Sequence, residues 1–177
     1  ARMGSMPAWH LPGARQPENA DGSAFYPGET WETLRLSSKN HWDVVIEIDG
    51  SDLHFLAHHP TPPVFDGPED RNGLRNYDEI RFWREYTQTG GSASIVDDQD
   101  RSGGIAAGAA FVIAGDFNAD PVDGDSVKGA ISQLLDAPWI SSGCVPVSEG
   151  AGEATRLQGG VNLAQLGDPA SDTADFN

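Results

Sequence analysis

The sequence predicts a mixed α/β (α+β) domain, and three observations carry that reading. Two β-rich runs are joined by Asp-Gly, a short continuous apolar run stands at Ala110–Ala114, and two segments repeat apolar residues at helical spacing. A chain of 177 residues suffices for one such domain with its own core. Its 21 Gly and 12 Pro point to long loops rather than a helical bundle.

Residues 1–30 are rich in Pro, Gly, Asn and polar side chains, with scattered aromatics at Trp9, Phe25 and Tyr26, and read as an irregular N-terminal segment. Asp43–Ile48 and Leu53–His58 are the two strands around Asp49-Gly50-Ser51, and an Asp-Gly turn between apolar runs is a strong hairpin signal. The prolines between His59 and Pro68 fit neither a sheet nor a helix interior, so a loop of fixed shape leaves the second strand. A helix follows, with Ile80, Trp83 and Tyr86 or Thr87 as its apolar stripe, capped by Asn76 or starting as early as Asp70. Gly90 to Gly108 is rich in Gly, Ser, Ala and Asp and reads as a mobile surface loop. Ala110–Ala114 is a strand of the buried type. Ser126 to Leu135 reads as an amphipathic helix, capped by Asp123 or Asp125 and stopped by Pro138. Residues 140–177 read as loop, and no internal repeat is found.

Charge narrows the function. Eleven basic residues against 27 acidic ones leave a formal net charge of −16, with no basic run. A protein that grips duplex nucleic acid draws affinity from Lys and Arg that release counterions. The balance therefore disfavours duplex nucleic acid as the main substrate, and it is compatible with a divalent-cation site. No apolar stretch reaches the roughly 18 residues of a membrane span, and no apolar leader segment opens the N-terminus. A single Cys144 excludes an internal disulfide framework and a Cys-based zinc site.

The chemistry-bearing segment is Phe111 to Pro121, FVIAGDFNADP. Gly115 to Pro121 stands at the C-terminal end of a strand, where α/β folds put their ligand sites. If strand geometry persists, Asp116 and Asn118 project a carboxylate and a carboxamide in the same direction. An ionised Asp ligates Mg²⁺ or orients a water, and an Asn offers both a donor and an acceptor to a phosphoryl oxygen. The same residue types also make an ordinary polar turn after a strand, and the pattern alone leaves both readings open.

GDFNADP is similar to the GDFNxxP signature of the endonuclease/exonuclease/phosphatase superfamily, which includes pancreatic deoxyribonuclease, inositol-polyphosphate phosphatases and sphingomyelinases. Upstream, in the expected order, Phe55 to Thr61 (FLAHHPT) resembles the family's strand-then-His motif, with His59 as the matching position and His58 as the weaker candidate. The stretch from His59 to Trp83 resembles a bacterial, often secreted subgroup, which favours an extracellular setting. The resemblance runs from about residue 20 to the end.

The resemblance implies a sandwich fold of that type, with the partial domain at 31–177, and divalent-metal hydrolysis of a phosphoester. Mg²⁺ is the implied ion, with Ca²⁺ and Mn²⁺ as alternatives, and Asp116 and Asn118 as its ligands in this chain. Asp116 orients or deprotonates the attacking water, Asn118 positions the phosphoryl group, and His59 stabilises charge growing on a non-bridging oxygen. A phosphomonoesterase or phosphodiesterase on a small or extracellular substrate is the leading expectation. The alternatives are a nuclease of the same superfamily and a catalytically inactive binding module.

Further candidates are Arg35, Lys39 and His41 before the hairpin, where family members often carry a phosphate-binding cation, each equally readable as a solvated strand entry. Arg71 and Arg75, with Asp66, Asp70, Asp78 and Glu79, either shape a pocket or form ion pairs and caps. Asp97, Asp98 and Asp100 lack the Gly and Glu of a calcium loop and read as a solvated loop.

The family's metal-binding Glu on an early strand and its closing Asp-His pair are not recognisable in this sequence, which has no His after His59. The chain is accordingly expected to be part of a domain, split, processed or incomplete, completed by other polypeptide segments. Residues 173–177 fall where a closing strand is expected to begin. A partial domain leaves sheet edges and an apolar face uncovered, which invites association.

Overall fold

The computed structural model describes residues 1–90 and 93–173. Its centre is a three-stranded sheet in the order β1-β2-β3: β1 Trp42–Ile48, β2 Ser51–Ala57 and β3 Ala110–Ala114. β1 and β2 pair antiparallel with Val44 opposite Phe55. The turn between them puts both Asp49 (φ 51°) and Gly50 (φ 78°) at positive φ. A two-residue primed turn requires this, because its twist matches that of the strands it joins. β3 pairs parallel to β2, with Phe55 opposite Val112 and Ala57 opposite Ala114. Parallel neighbours need a long crossover, and helix α2, Arg71–Thr87, lies within it.

Helix α2 is the core. Ile80, Phe82 and Trp83 are fully buried and Tyr86 nearly so. Trp83 meets the rings of His41, His58, Phe82 and Tyr86 at near-perpendicular angles, the edge-to-face arrangement aromatic quadrupoles favour. The helix starts after Asp70, and Asn76 lies in its interior rather than at its cap.

Around α2 pack Leu56 from the inner face of β2, Met3, Met6 and Leu11 from the N-terminal segment, Ile95 and Ile105 from the α2–β3 connection, and Leu134. The N-terminal segment is largely irregular, with a 3₁₀ turn at Ala8–His10 and α1 at Gly28–Thr33. It is nonetheless a wall of the core, tied in by Met3 N–H to His41 O at 2.9 Å and Leu36 N–H to Met6 O at 2.9 Å.

Three expectations are corrected. The connection after α2, read as a mobile loop, has Ile95 buried, a Val96–Ser102 bridge, and Asp97 accepting from Gln99 N–H and Arg101 N–H. The helix read at 126–135 shrinks to α3, Ser132–Leu135. Gly129 at φ +83° interrupts the ladder, and Asp123 accepts from the Leu166 and Gly167 amides instead of capping α3. Residues 140–173 are not all loop: α4 spans Glu149–Gln158, with Ser148 accepting from Ala151 N–H. That helix is Gly- and Ala-rich with Thr155 its buried residue, so it carried no apolar stripe to read. The expected closing strand at 173–177 falls, beyond Thr173, outside the described residues.

The two faces of the sheet differ sharply. Side chains alternate between faces along a strand, and one face presents Leu56 to the core while the other shows Trp42, Val44, Ile46, Ile48, Phe55 and Val112, each 37–51% exposed. β3 is thus an edge strand with one open face, rather than the doubly covered strand its apolar run suggested.

Replacing Trp83 with Ala removes the largest buried side chain, and the expected loss is about 3–5 kcal/mol. Urea unfolding should show a lower midpoint at unchanged slope; a loss below about 1 kcal/mol would show that α2 is not the centre of the core.

Candidate active site

Because β2 and β3 run parallel with Ala57 opposite Ala114, their C-terminal ends leave the sheet side by side. His58 N–H donates to Ala114 O at 3.1 Å, extending the ladder by one bond. The backbones pass so closely here that a Cβ on Gly115 would sit 1.7 Å from His58 O. Gly115 also holds φ +154°, a conformation side chains disfavour. Glycine is therefore required where the second motif turns away from its strand.

One residue further on, His59 and Asp116 face each other. His59 Nε2 lies 4.0 Å from Asp116 Oδ2, with the two side chains 46% and 56% exposed. The pair is open to a ligand and too far apart for a direct hydrogen bond. Asp116 Oδ1 accepts from Asn118 N–H at 3.0 Å, an Asx turn that leaves Oδ2 facing the His.

Strand geometry does not persist to Asn118, which sits at φ +49°. Its carboxamide turns back and donates from Nδ2 to Pro60 O at 3.1 Å. The expected common projection of Asp116 and Asn118 is thus corrected: the left-handed turn sends one toward His59 and the other across to the His59 loop. After them, Asp120 accepts from the Val122 and Asp123 amides and closes the turn at Pro121.

Beneath the pair lies a buried polar layer. Glu79 is fully buried, and its two oxygens accept from Ser38 N–H at 2.9 Å and Thr61 N–H at 2.6 Å. Burial opposes its ionisation, but the His58 ring and the Thr61 amide outweigh that and hold its pKa below the usual value. His58 Nε2 stands 3.8 Å from Glu79 Oε1, and its ring stacks on His41 with centroids 3.8 Å apart. Burial lowers both histidines: His41 has His58 as a further opposing charge, whereas Glu79 partly restores His58. Both rings are therefore neutral at pH 7.

Of the other candidates, Lys39 is exposed and near enough to disfavour protonation of His58. His41 is corrected outright: it is sealed in the core with Nε2 against Glu79 O at 3.0 Å, and no phosphate reaches it. Arg35 is exposed and gives its carbonyl to Arg75 Nη2, while Arg75 Nε donates to Leu36 O. Arg71 pairs with Glu69 and donates to Phe65 O at 3.2 Å, so it braces the Pro-rich loop. Asp78 accepts from Arg15 N–H and pairs with Arg81, and Asp66 accepts from Asn72 N–H. Asp98 accepts from Ser5 and pairs with Arg2, and Asp97 pairs with Arg101. Among the described residues no three His, Cys, Asp or Glu side chains converge as a metal-binding group.

Asn76 is the residue the sequence misassigned. Fully buried on α2, it donates from Nδ2 to Thr61 O at 2.9 Å and Phe117 O at 3.0 Å. These partners are 15 and 41 residues away, and nothing local in the sequence signals them.

A sequence model of the Endonuclease/Exonuclease/phosphatase family matches residues 8–175 of the chain. No curated protein and no solved structure matches.

The neutral His41–His58 stack makes stability depend on pH. Unfolded, each ring takes up a proton near its ordinary value of 6.5; folded, each resists it. The unfolded chain therefore binds more protons below that value, and stability falls as pH drops. The melting temperature is expected to be flat above about pH 7.5 and to decline progressively below about pH 6.5. A melting temperature that stayed constant down to about pH 5 would contradict the buried neutral pair.

Proposed function

The chain belongs to the endonuclease/exonuclease/phosphatase family, whose members hydrolyse phosphoester bonds, and from that membership we propose that it serves as a phosphomonoesterase or phosphodiesterase acting on a small substrate. The observation that carries this reading is the facing pair His59 and Asp116 at the ends of two parallel strands, 4.0 Å apart and open to solvent. A phosphoryl group set against the mouth of this pair meets the imidazole donor, while the carboxylate beside it faces the attacking water. His59 donates to a non-bridging oxygen, where negative charge grows in the transition state. Asp116 Oδ2 accepts from the attacking water and orients it for in-line displacement. Asn118, with one amide hydrogen on Pro60 O, keeps a second for the phosphoryl oxygen.

The family generally employs divalent ions, but the described residues do not complete such a site. An octahedral ion takes six oxygens, several from water and phosphate and one or two from carboxylates. Asp116 is a single carboxylate of that kind, and no group of three converges with it among the described residues. The reading is that further ligands for Mg²⁺, or for Ca²⁺ or Mn²⁺, come from polypeptide beyond these residues. The bare apolar face of the sheet supports the same view. We take its occupant to be a second β-layer of the family's domain, carried on another polypeptide segment.

Turnover of bis(p-nitrophenyl) phosphate tests the reading, with a divalent salt and the completed protein where a partner segment is recovered. His59→Ala and Asp116→Ala are each expected to lower kcat by about 10²–10³-fold. Unchanged rates in both variants would remove the catalytic assignment. Plasmid DNA tests the nuclease alternative: the net charge of −16 predicts slower hydrolysis of the duplex than of the small diester, and the opposite ranking would make the chain a nuclease.

Association provides a separate check. In analytical ultracentrifugation the isolated chain is expected to oligomerise, aggregate or sediment with a co-purifying polypeptide. A monodisperse monomer, stable on heating and free of any dye-binding apolar surface, would overturn the second-layer proposal.

A further inference from the structure

His59 and Asp116 stand on two loops far apart in sequence, which leave the sheet side by side at His58 and Gly115. The ladder brings the two residues together, but it ends one position before them. Three hydrogen bonds hold the loops beyond it, and two of them start from one side chain. Asn76 Nδ2 donates to Thr61 O on the His59 loop and to Phe117 O on the Asp116 loop, and it reaches Asn118 O at 3.5 Å. Asn118 Nδ2 makes the third, to Pro60 O.

The amide of Asn76 has one workable orientation. Reversed, its oxygen would face the carbonyls of Thr61 and Phe117, acceptor against acceptor. As oriented, both N–H groups are used and Oδ1 is left without a hydrogen-bond partner among the described residues. A fully buried carboxamide with an unsatisfied acceptor costs stability. An apolar residue would suit the interior of a helix better, so the side chain is explained by what its donors hold.

Helix α2 supplies rigidity to this clasp. Asn76 lies one turn before Glu79 and Ile80, and the fully buried Ile80 and Trp83 anchor that stretch in the core. Glu79, three residues on, accepts from Thr61 N–H while Asn76 donates to Thr61 O, so both backbone polar groups of Thr61 are bound to the same helix face. The His59 loop is thus registered against α2, and the Asp116 loop against the His59 loop.

We infer that Asn76 is a positioning residue for the reaction: through Thr61 and Phe117 it sets the distance between His59 and Asp116, touching neither. This rests on the phosphoesterase reading of that pair. Misplacing reacting groups by about 1 Å costs about a hundredfold in rate, so the effect of losing the clasp belongs in kcat rather than in binding.

The test uses the full chain with Asn76→Ala, and Asn76→Ser, which keeps one hydroxyl donor, in case the Ala variant fails to fold. Amide hydrogen exchange is the first readout. Thr61 and Asn118 amides should exchange about tenfold faster, while the β1–β2 hairpin amides keep their protection. Turnover of bis(p-nitrophenyl) phosphate, with a divalent salt and any recovered partner segment, is the second. Relative to the unsubstituted chain, kcat should drop about ten- to a hundredfold with KM within about twofold, and Asn76→Ser should lie between. In a His59→Ala background the same substitution should cost less than about threefold, since it acts through that residue. Multiplicative losses in the double variant, or loops whose exchange does not change, overturn the positioning role. If the unsubstituted protein shows no turnover even with a divalent salt and any recovered partner segment, the phosphoesterase reading fails by itself, and the exchange pattern alone then decides whether Asn76 holds the loops.

Discussion

The arrangement depends on one contact: the parallel pairing of β2 with β3, continued past their last residues until the Gly115 backbone passes against the His58 carbonyl. A Cβ at Gly115 would lie 1.7 Å from that oxygen, which is inside any tolerable contact. Glycine lets the two strand ends close up, and only then do the next residues, His59 and Asp116, come within 4.0 Å. Parallel strands need a long crossover, so this single pairing also calls for the connection in which a helix can pack on the sheet. α2 fills that role and brings Asn76 and Glu79 beneath the loops. Strand pairing, core helix and site are therefore one geometric solution.

The two faces of the sheet carry opposite consequences. On the inner face, burial of Leu56 against Ile80, Phe82 and Trp83 supplies the apolar area that holds the fold. The polar layer of His41, His58 and Glu79 costs desolvation and is retained beside that apolar core. Its hydrogen bonds go to backbone amides of the segments at Ser38 and Thr61, and so it fixes loops rather than strengthening the core. On the outer face six large apolar side chains remain in solvent. A protein with net charge −16 keeps such a patch soluble longer than a neutral one would, but the patch still favours being covered.

The sequence disclosed what local chemistry decides. The Asp49-Gly50 turn, both strands of the hairpin and the apolar run of β3 are set by residues adjacent to one another, and they lie where the pattern put them. The strand-end location of Asp116 and its order after His59 were equally readable. Contacts between distant segments were not. Asn76 looked like a helix cap because Asn is a good one, yet its partners are Thr61 and Phe117. His41 looked like a cation for phosphate and is a core ring stacked on His58. Met3, Met6 and Leu11 sit in a stretch without periodicity, so nothing marked them as core. The helix read at 126–135 had the right spacing, and a left-handed Gly129 cut it back to Ser132–Leu135.

Charge and site are reconciled by range. At physiological salt, electrostatic influence between exposed charges decays over about 8 Å. On the proposed reading, a small phosphoester at the strand ends would be governed by the donors beside it, among them His59 and the second amide hydrogen of Asn118. It scarcely senses the carboxylates spread over the rest of the surface. A duplex is different, because it presents one charge per roughly 1.7 Å of axis and extends well past the site. Each added turn of helix meets more of an acidic surface that offers few counterions to release. On the proposed reading, the same residues would receive a phosphoryl group while the net charge of −16 disfavours its polymer. The proposed preference for small over polymeric phosphoesters thus needs no dedicated specificity pocket: a few donors held at the strand ends of a strongly acidic protein would suffice.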